Sequence, residues 1–351
     1  MKKLILLILL VVPFKVQAIS ANSYIVMDQD SGRILEGNNI EKQSLIASIT
    51  KIMTAVVALE NSDVEKVVKV DDTILKAFGS GIYIQVGEEL TLDDLLYGLM
   101  MRSGNDAALA IAKTVAGDVD SFVYLMNEKA QAIGMSKTLF VNPSGLEEND
   151  GRANKSTVYD MALLTRYAMN NEHYRRIVGT KELVVKSSYK TYKWINKNKL
   201  LQSYEYCTGG KTGFTQKARR TLVTTASKDD ISLIVVTFND GNDFADHKNL
   251  YEKYFDLYER VKVLSTDDDY GENIYLKKDF YLIKKDGDNI ETKVNIENSF
   301  NDKFDGEIVG KVQVLLNGDV LGYRYLYYRR PSITENKSFL SKLVDFLTFW
   351  G

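Results

Sequence analysis

Three short polar motifs, in a fixed order and far apart along the chain, constrain the fold more than any other feature of this sequence. They are Ser48–Lys51 (SITK), Ser103–Asn105 (SGN) and Lys211–Gly213 (KTG). A long apolar run follows the first, the second separates two apolar helical patterns, and β-branched strand-like runs follow the third. A fold that gathers them must join the start of a helix, a connector between helices and a strand of a sheet.

The first motif sets a hydroxyl beside an amine. Residues three apart share one face of a helix, so Lys51 can accept the proton that Ser48 must lose to become a nucleophile. The amine has to be neutral for this, and burial against the apolar residues that follow would lower its pKa. N–H groups at the start of the helix favour negative charge there. We therefore expect Ser48 to be the nucleophile and Lys51 its base.

A second S-x-x-K pattern, Ser187–Lys190, shows that this motif alone is weak evidence. It lies in a polar, strand-like stretch that no apolar helix follows. We therefore expect this copy to take no part in the chemistry.

The other two motifs supply groups that bind a substrate. Lys211 and Thr212 on a strand edge can hold a carboxylate, while Gly213 lets a ligand approach the backbone. Asn105 can hold the substrate amide, and Ser103 can relay a proton to the departing amine. The three motifs in this order, each in a fitting element, favour acyl transfer at a serine.

The chain falls into four predicted parts. Apolar patterns predict helices after Ser48, on both sides of 103–105, over 157–169 and over 249–258, with strands at 24–27, 222–225 and 233–238. From about residue 260 the chain is strand-like, and its clearest element is a hairpin at Asn317-Gly318. The parts are residues 1–18, an export signal; 19–259, the catalytic domain; 260–330, a β-rich domain; and 331–351, a polar spacer with an amphipathic helix.

The first 18 residues have the pattern of a secretory signal. Lys2 and Lys3 precede an apolar run, and Ala18 ends a segment suited to cleavage; an uncleaved anchor or a buried strand is the alternative. Cleavage leaves 333 residues with 42 basic and 47 acidic side chains, a net charge of −5. This mild acidity gives no indication of nucleic-acid binding.

The last residues predict attachment to a membrane surface. Within 338–351 large apolar residues recur at three- and four-residue spacings, as in helices that lie in a bilayer interface. The alternative is a helix docked on the second domain.

Cysteine and histidine are too scarce for several other kinds of site. Cys207 is the only cysteine, so no intrachain disulfide forms, and its proximity to Lys211 leaves both a packing and a reactive role open. The only histidines are His173 and His247, which makes a zinc site rich in His and Cys hard to build.

Together the motifs resemble the penicillin-binding proteins and serine β-lactamases, most of all the low-molecular-mass D-alanyl-D-alanine carboxypeptidases. The likeness runs from about residue 22 to the end and includes YIVMDQDSGRILEGNN, NPSGL, NKNKLL and KTGFT. It implies an α/β (α+β) catalytic domain with an antiparallel sheet flanked by helices, and a small all-β C-terminal domain.

The resemblance also implies a reaction. Ser48 would attack the peptide bond between the last two D-alanines of a peptidoglycan stem peptide, forming an acyl-enzyme that water hydrolyses. Thr212 and Thr215 would help Lys211 hold the terminal carboxylate, and the N–H groups of Ser48 and Phe214 would form the oxyanion hole. β-Lactams would acylate the same serine. The resemblance implies no metal or organic cofactor, and a position at the outer face of the cytoplasmic membrane.

Some features depart from the family pattern, and two rival functions remain. Many members carry a histidine where this chain has 152–155, and some carry an arginine where it has Asp246-His247. A serine β-lactamase is one rival, although the E-x-x-L-N segment of class A enzymes is absent from the sequence. The other is a protein without turnover: a β-lactam sensor, or a structural wall-binding protein.

Overall fold

The computed structural model describes residues 19–297 and 303–330. The predicted export signal, 1–18, and the predicted spacer and amphipathic tail, 331–351, lie outside the described residues. The chain divides into two compact units, the first ending at Asp256 and the second beginning at Leu257. Within the described ranges, no helix is both long enough and apolar enough to cross a bilayer.

The first unit combines helices with short antiparallel strands. Its strands are β1 (Ser23–Asp28), β2 (Ile34–Asn38), β3 (Ser44–Leu45), β4 (Val67–Lys69), β5 (Glu89–Thr91), β6 (Lys155–Ser156), β7 (Glu182–Lys186), β8 (Thr191–Ile195), β9 (Cys207–Thr215), β10 (Arg219–Lys228) and β11 (Ile231–Phe238). Its helices are α1 (Lys51–Asn61), α2 (Leu92–Arg102), α3 (Asn105–Ala116), α4 (Val119–Ala132), α5 (Val158–Ala168), α6 (Glu172–Gly179), α7 (Leu200–Ser203) and α8 (Asp243–Leu257).

A five-stranded antiparallel sheet lies at the centre of this unit, in the order β2-β1-β11-β10-β9. Successive side chains of a strand point to opposite faces. Val223 and Val236 accordingly belong to the core that the sheet shares with helices α1–α6, whereas Thr224 and Thr237 hydrogen-bond to His247 of α8. The sheet therefore lies between two helical layers, and β9 is left at its edge.

Helix α1 lies at the centre of the helical layer. Its residues from Lys51 to Ala58 are all buried, which agrees with an apolar run that shows no polar face. Helix α2 begins with a capping box at Thr91 and Asp94 and ends at Arg102, and the next residue, Ser103, is left-handed with a φ of 63°. Because a left-handed residue ends an α-helix, α3 starts afresh at Asn105. This break is the predicted connector.

The second unit, as far as it is described, is built from strands β12 (Glu259–Leu264), β13 (Ile274–Leu276), β14 (Phe280–Lys284), β15 (Ile290–Ile296), β16 (Ile308–Leu316) and β17 (Asp319–Tyr328). Strands β13-β17-β16-β15 form one antiparallel sheet, and β12 pairs with β14. The turn between β16 and β17 is the predicted Asn317-Gly318 pair, at φ values of 53° and 88°. Two positive φ values in a two-residue loop are typical of a type I′ hairpin.

One predicted helix starts earlier than its apolar pattern suggested. The pattern predicts a helix over 249–258, but α8 begins at Asp243. Its first turns are polar in sequence yet buried, because Asp243, Asp246 and His247 all have partners within the fold. Hydrophobic periodicity cannot detect a helical turn that is buried through hydrogen bonds.

Candidate active site

Ser48 and Lys51 lie at a junction between two kinds of helix. Ala47–Thr50 form a 3₁₀ turn, and Lys51 is the first residue of α1. A 3₁₀ turn has three residues per turn, so positions three apart align along the axis. Lys51 Nζ lies 3.1 Å from Ser48 Oγ, within hydrogen-bond distance. The predicted nucleophile and base are thus side by side.

The amine of Lys51 is completely buried and held by two further acceptors. Its Nζ donates to Asn105 Oδ1 at 2.7 Å and to the carbonyl of Ser144 at 2.5 Å. Burial, and to a smaller extent the nearby positive charge of Lys197, lower the pKa of Lys51 to about 7, against the opposing charge of Asp106. Near neutral pH a large share of this amine is therefore unprotonated and able to take a proton.

The NPSGL segment, 142–146, packs against the turn that carries Ser48. Gly145 has a φ of 86°, and a Cβ there would lie 2.0 Å from the carbonyl oxygen of Ala47. Asn142 Oδ1 accepts the N–H of Gly145 at 2.7 Å, and Asn154 Nδ2 donates to Thr50 Oγ1 at 2.9 Å. Only a glycine allows this close approach, so the segment fixes the turn that carries Ser48 and directs the Ser144 carbonyl at Lys51.

The second motif lies against the first. Asn105 Oδ1 accepts the hydrogen bond from Lys51, and its Nδ2 donates to the carbonyl of Phe78 at 2.6 Å. Both polar atoms of this amide thus have partners inside the protein, which suits holding Lys51 rather than reaching a substrate. Ser103 is buried, in the left-handed conformation, and lines the same cavity as Ser48.

The third motif brings the edge strand β9 to the serine. A Cβ on Gly213 would lie 3.0 Å from the backbone nitrogen of Ser48, so the strand passes directly beside the predicted nucleophile. Lys211 is buried and donates to the carbonyl of Thr212 at 2.7 Å; burial, with the positive charges of Lys51 and Lys197, holds its pKa well below the usual range. Farther along β9, Phe214 is exposed, and Thr215 Oγ1 accepts the N–H of Ala218 at 3.1 Å.

A cavity of about 370 Å³ opens over Ser48. Sequence reasoning missed the cations along its wall. The guanidinium of Arg220 pairs with both carboxylate oxygens of Asp243, at 2.5 and 3.1 Å. Lys197 donates to Ser80 Oγ at 3.2 Å. The lining residues are Ser48, Ser80, Ser103, Lys197, Lys199, Thr212, Gly213, Phe214, Arg220, Asp243 and Phe244.

Little in the sequence identifies these cations as residues of the site. Lys197 and Lys199 belong to the NKNKLL segment, which carries the family resemblance but no motif chemistry. In the sequence, Arg220 is an ordinary polar residue shortly before a predicted strand. Only the antiparallel register, which sets Arg220 opposite Phe214, brings it to the cavity.

Two other sequence features take no part in this site. In the second S-x-x-K copy, between β7 and β8, Ser187 Oγ donates to Glu88 Oε1 at 2.5 Å and Lys190 Nζ to the carbonyl of Tyr83. Cys207 is buried, and burial raises the pKa of its thiol to about 11, so it fits a packing role. Within the part of the chain that the structure describes, no group of three or more His, Cys, Asp or Glu side chains is arranged to hold a metal.

Solved structures show which class of fold this is. Penicillin-binding protein 5 from Haemophilus influenzae matches with a TM-score of 0.75 at 24% identity, over 89% of this chain and 97% of that one. A D-alanyl-D-alanine carboxypeptidase from Mycobacterium tuberculosis H37Rv matches with a TM-score of 0.65 at 31% identity, over 68% of this chain and 92% of that one. The predicted penicillin-binding-protein fold is therefore confirmed.

Sequence comparison identifies the family. The family model described as D-alanyl-D-alanine carboxypeptidase, peptidase S11, matches residues 11–242, and the chain belongs to this family. D-alanyl-D-alanine carboxypeptidase DacF of Bacillus subtilis (strain 168) is 33% identical over 224 residues, 62% of this chain and 57% of that protein. DacC of Escherichia coli (strain K12) is 31% identical over 268 residues, 71% of this chain and 65% of that protein. These two matches each span less than two thirds of the relative's own length.

Proposed function

We propose that this protein is a serine-type D-alanyl-D-alanine carboxypeptidase that removes the last D-alanine from peptidoglycan stem peptides. One observation carries the proposal: a completely buried lysine amine lies 3.1 Å from Ser48 Oγ, and Ser48 lines a cavity together with Gly213 of the edge strand. This is the geometry that acyl transfer requires, with a base in contact with the nucleophile and a backbone edge for the substrate.

Binding of the substrate uses the cations of the cavity. The terminal carboxylate lies against Thr212 and the guanidinium of Arg220, with the amines of Lys197 and Lys211 nearby. Arg220 is already held by Asp243, so its orientation is set before the substrate arrives. Because charge-assisted hydrogen bonds to a carboxylate are strong, this end of the cavity selects peptides with a free C-terminus.

Acylation begins when Lys51 takes the hydroxyl proton of Ser48 and the oxygen attacks the carbonyl carbon. The N–H groups of Ser48 and Phe214 stabilise the negative charge that develops on the carbonyl oxygen. Support comes from the position of Ser48 in the first turn of a 3₁₀ helix, where N–H groups lack acceptors inside the helix. Ser103, in the same cavity wall, passes a proton to the amine of the departing D-alanine. Water then hydrolyses the acyl-enzyme and restores Ser48.

β-Lactams follow the same first step, because their strained amide occupies the place of the D-Ala–D-Ala bond, and they act as covalent inhibitors. The lifetime of this adduct distinguishes a carboxypeptidase from a β-lactamase. A slowly released penicilloyl-enzyme is the expected result, together with release of D-alanine from a diacyl D-Ala–D-Ala peptide. Rapid turnover of penicillin without D-alanine release would instead establish a β-lactamase.

The test is intact-protein mass spectrometry with penicillin and with the peptide. In the unaltered protein we expect one adduct on Ser48, and in Ser48→Ala no adduct and no D-alanine. Ser187→Ala is the matched control, since it alters the serine of the second S-x-x-K copy and should leave both reactions unchanged. An adduct that persists in Ser48→Ala, with the melting temperature unaltered, would refute the assignment.

We also propose that the enzyme works outside the cytoplasm, after removal of 1–18, as a catalytic domain (19–259), a β-rich domain (260–330) and a tail (331–351) that attaches to the membrane surface. The amphipathic pattern of 338–351 supports this attachment. Deleting 338–351 should move the protein from the membrane fraction to the soluble fraction, with acylation by penicillin retained. Continued membrane association would contradict the role of the tail.

A further inference from the structure

Two buried carboxylates lie close together where β11 leads into α8. Asp240 and Asp246 are each 1% exposed. Burial raises the pKa of Asp240, and the neighbouring negative charge of Asp246 also raises it. Among the described residues, no lysine, arginine or histidine forms an ion pair with either carboxylate. Buried charges are normally paired, so this pair lacks a counter-charge.

The segment that reaches these carboxylates is Ile19-Ser20, the first two residues that the structure describes. Ser20 N donates to Asp246 Oδ2 at 2.8 Å, and Ser20 Oγ lies 2.5 Å from Asp240 Oδ1 and 2.8 Å from Asp246 Oδ2. A hydroxyl has a single hydrogen, so Ser20 can donate it to only one of the two carboxylates at a time.

One oxygen of the pair has no donor. Asn242 N donates to Asp240 Oδ1 at 3.0 Å, but Asp240 Oδ2 is buried with no hydrogen-bond partner among the described residues. Leaving a buried charged oxygen unpaired is costly. A cationic donor at this position would satisfy the oxygen and compensate the negative charge of the pair.

Cleavage before Ile19 would create such a donor one residue from Ser20. Hydrolysis of the Ala18–Ile19 bond consumes one water and leaves a carboxylate on Ala18 and an ammonium on Ile19. We propose that Asp240 and Asp246 form a binding site for the α-ammonium of Ile19, which replaces an amide nitrogen that carries no charge. The ammonium has three N–H donors and lies one residue from Ser20, whose own N–H already contacts the pair.

This site is connected to the cavity over Ser48. Asp240 N donates to the carbonyl of Arg220 at 3.2 Å, and three residues later the carboxylate of Asp243 holds the guanidinium of Arg220. Binding of the ammonium therefore stabilises the loop that positions Arg220. The amine site depends on the proposed removal of 1–18 but not on the proposed catalysis, whereas its effect on substrate binding rests on that catalysis. Processing at Ala18 would thus complete the carboxylate-binding end of the cavity.

The experiment compares two otherwise identical proteins, one beginning at Ile19 and one with Gly-Ser-Gly before Ile19. We expect the extended protein to melt about 3 °C lower or more and to show a KM for the D-Ala–D-Ala peptide raised about fivefold. In the protein that begins at Ile19, reductive methylation of the α-amine, followed by mass spectrometry, should be slow, because both carboxylates hold the ammonium. Melting temperature and amine reactivity need no catalysis, so they test the site even if the proposed function fails.

Two variants assign the effect to the carboxylates. Asp240→Asn should abolish the difference in melting temperature between the two starts and speed methylation of Ile19. Asp230→Asn is the matched control: it lies in the exposed turn between β10 and β11 and should preserve the difference. Equal melting temperatures and fast methylation in the unaltered chain would overturn the proposal, as would a difference that persists in Asp240→Asn. The second result would mean that the extension acts elsewhere and that the two carboxylates share a proton instead.

Discussion

The rate of acylation should rise with pH through a midpoint near 7, because it follows the unprotonated fraction of Lys51. Burial is the main cause that lowers the pKa of this amine to about 7 from an ordinary 10.5. Only the neutral amine can accept the proton of Ser48. The pH at which the rate reaches half its maximum therefore measures the environment of a single buried nitrogen.

The size of the effect follows from the two pKa values. At pH 7 a lysine of ordinary pKa is neutral in about one molecule in 3,000, whereas Lys51 is neutral in about half, a gain of about a thousandfold in available base. Between pH 6 and pH 8 its neutral fraction rises from about one tenth to about nine tenths. A shift of this size corresponds to about 5 kcal/mol against the charged amine in the fold. Since the unfolded chain binds the proton more tightly, this group makes stability rise with pH between about 7 and 10.5.

The assay is stopped-flow acylation by a fluorescent penicillin from pH 5.5 to pH 9. Lys51→Arg should lose about a thousandfold or more in rate at every pH, since a guanidinium is never neutral in this range. Lys190→Met, in the second S-x-x-K copy, is the matched control and should leave the midpoint unchanged. A flat profile, or a midpoint above 9 in the unaltered protein, would refute the role of Lys51 as a neutral base.

Three further predictions concern the surroundings of this site. Replacing Lys197 with Met removes a positive charge that lowers the pKa of Lys51, so the midpoint of the same pH series should rise; an unchanged or lower midpoint would contradict this. Gly145→Ala, with its Cβ 2.0 Å from a carbonyl oxygen, should reduce the free energy of urea unfolding by more than about 3 kcal/mol, whereas Gly151→Ala, at the same φ of 86° but with open space, should cost only about 1 kcal/mol. Equal losses in the two variants would show that the positive φ, and not the contact with the carbonyl oxygen, causes the destabilisation. Iodoacetamide at pH 8 should alkylate Cys207 about a hundredfold more slowly in the native protein than in urea, because burial raises the pKa of the thiol to about 11; equal rates would show that the thiol is accessible.

Sequence reasoning succeeded where the signal is local. Ser48 and Lys51 are three residues apart, so helix geometry alone brings them together. The break at 103–105 and the hairpin at Asn317-Gly318 likewise depend on residues that restrict their own backbone. In each case the residues that determine the feature are also its neighbours in the chain.

Features that depend on contacts between residues far apart in the chain could not be predicted from the sequence. The hydrogen bond from Lys51 to Asn105 joins residues 54 positions apart, and it engages an amide that the sequence assigned to the substrate. The Arg220–Asp243 pair reaches the cavity only through the register of β9 and β10. Charged side chains are common on protein surfaces, so their sequence positions alone do not reveal which of them line a cleft.

Two residues close to Ser48 have strained backbone conformations. Ala47 precedes it and Ser103 lines the same cavity, and both have left-handed φ values, 49° and 63°, although neither is a glycine. Each costs on the order of 1 kcal/mol and persists only where neighbouring groups fix it. Burial of Lys51, which lowers its pKa to about 7, adds a larger cost in folding free energy, and the apolar core around α1 has to offset that cost. Substitutions that relieve either cost should stabilise the fold while weakening the site, because the proposed reaction of Ser48 depends on the strained turn and on the buried, neutral amine.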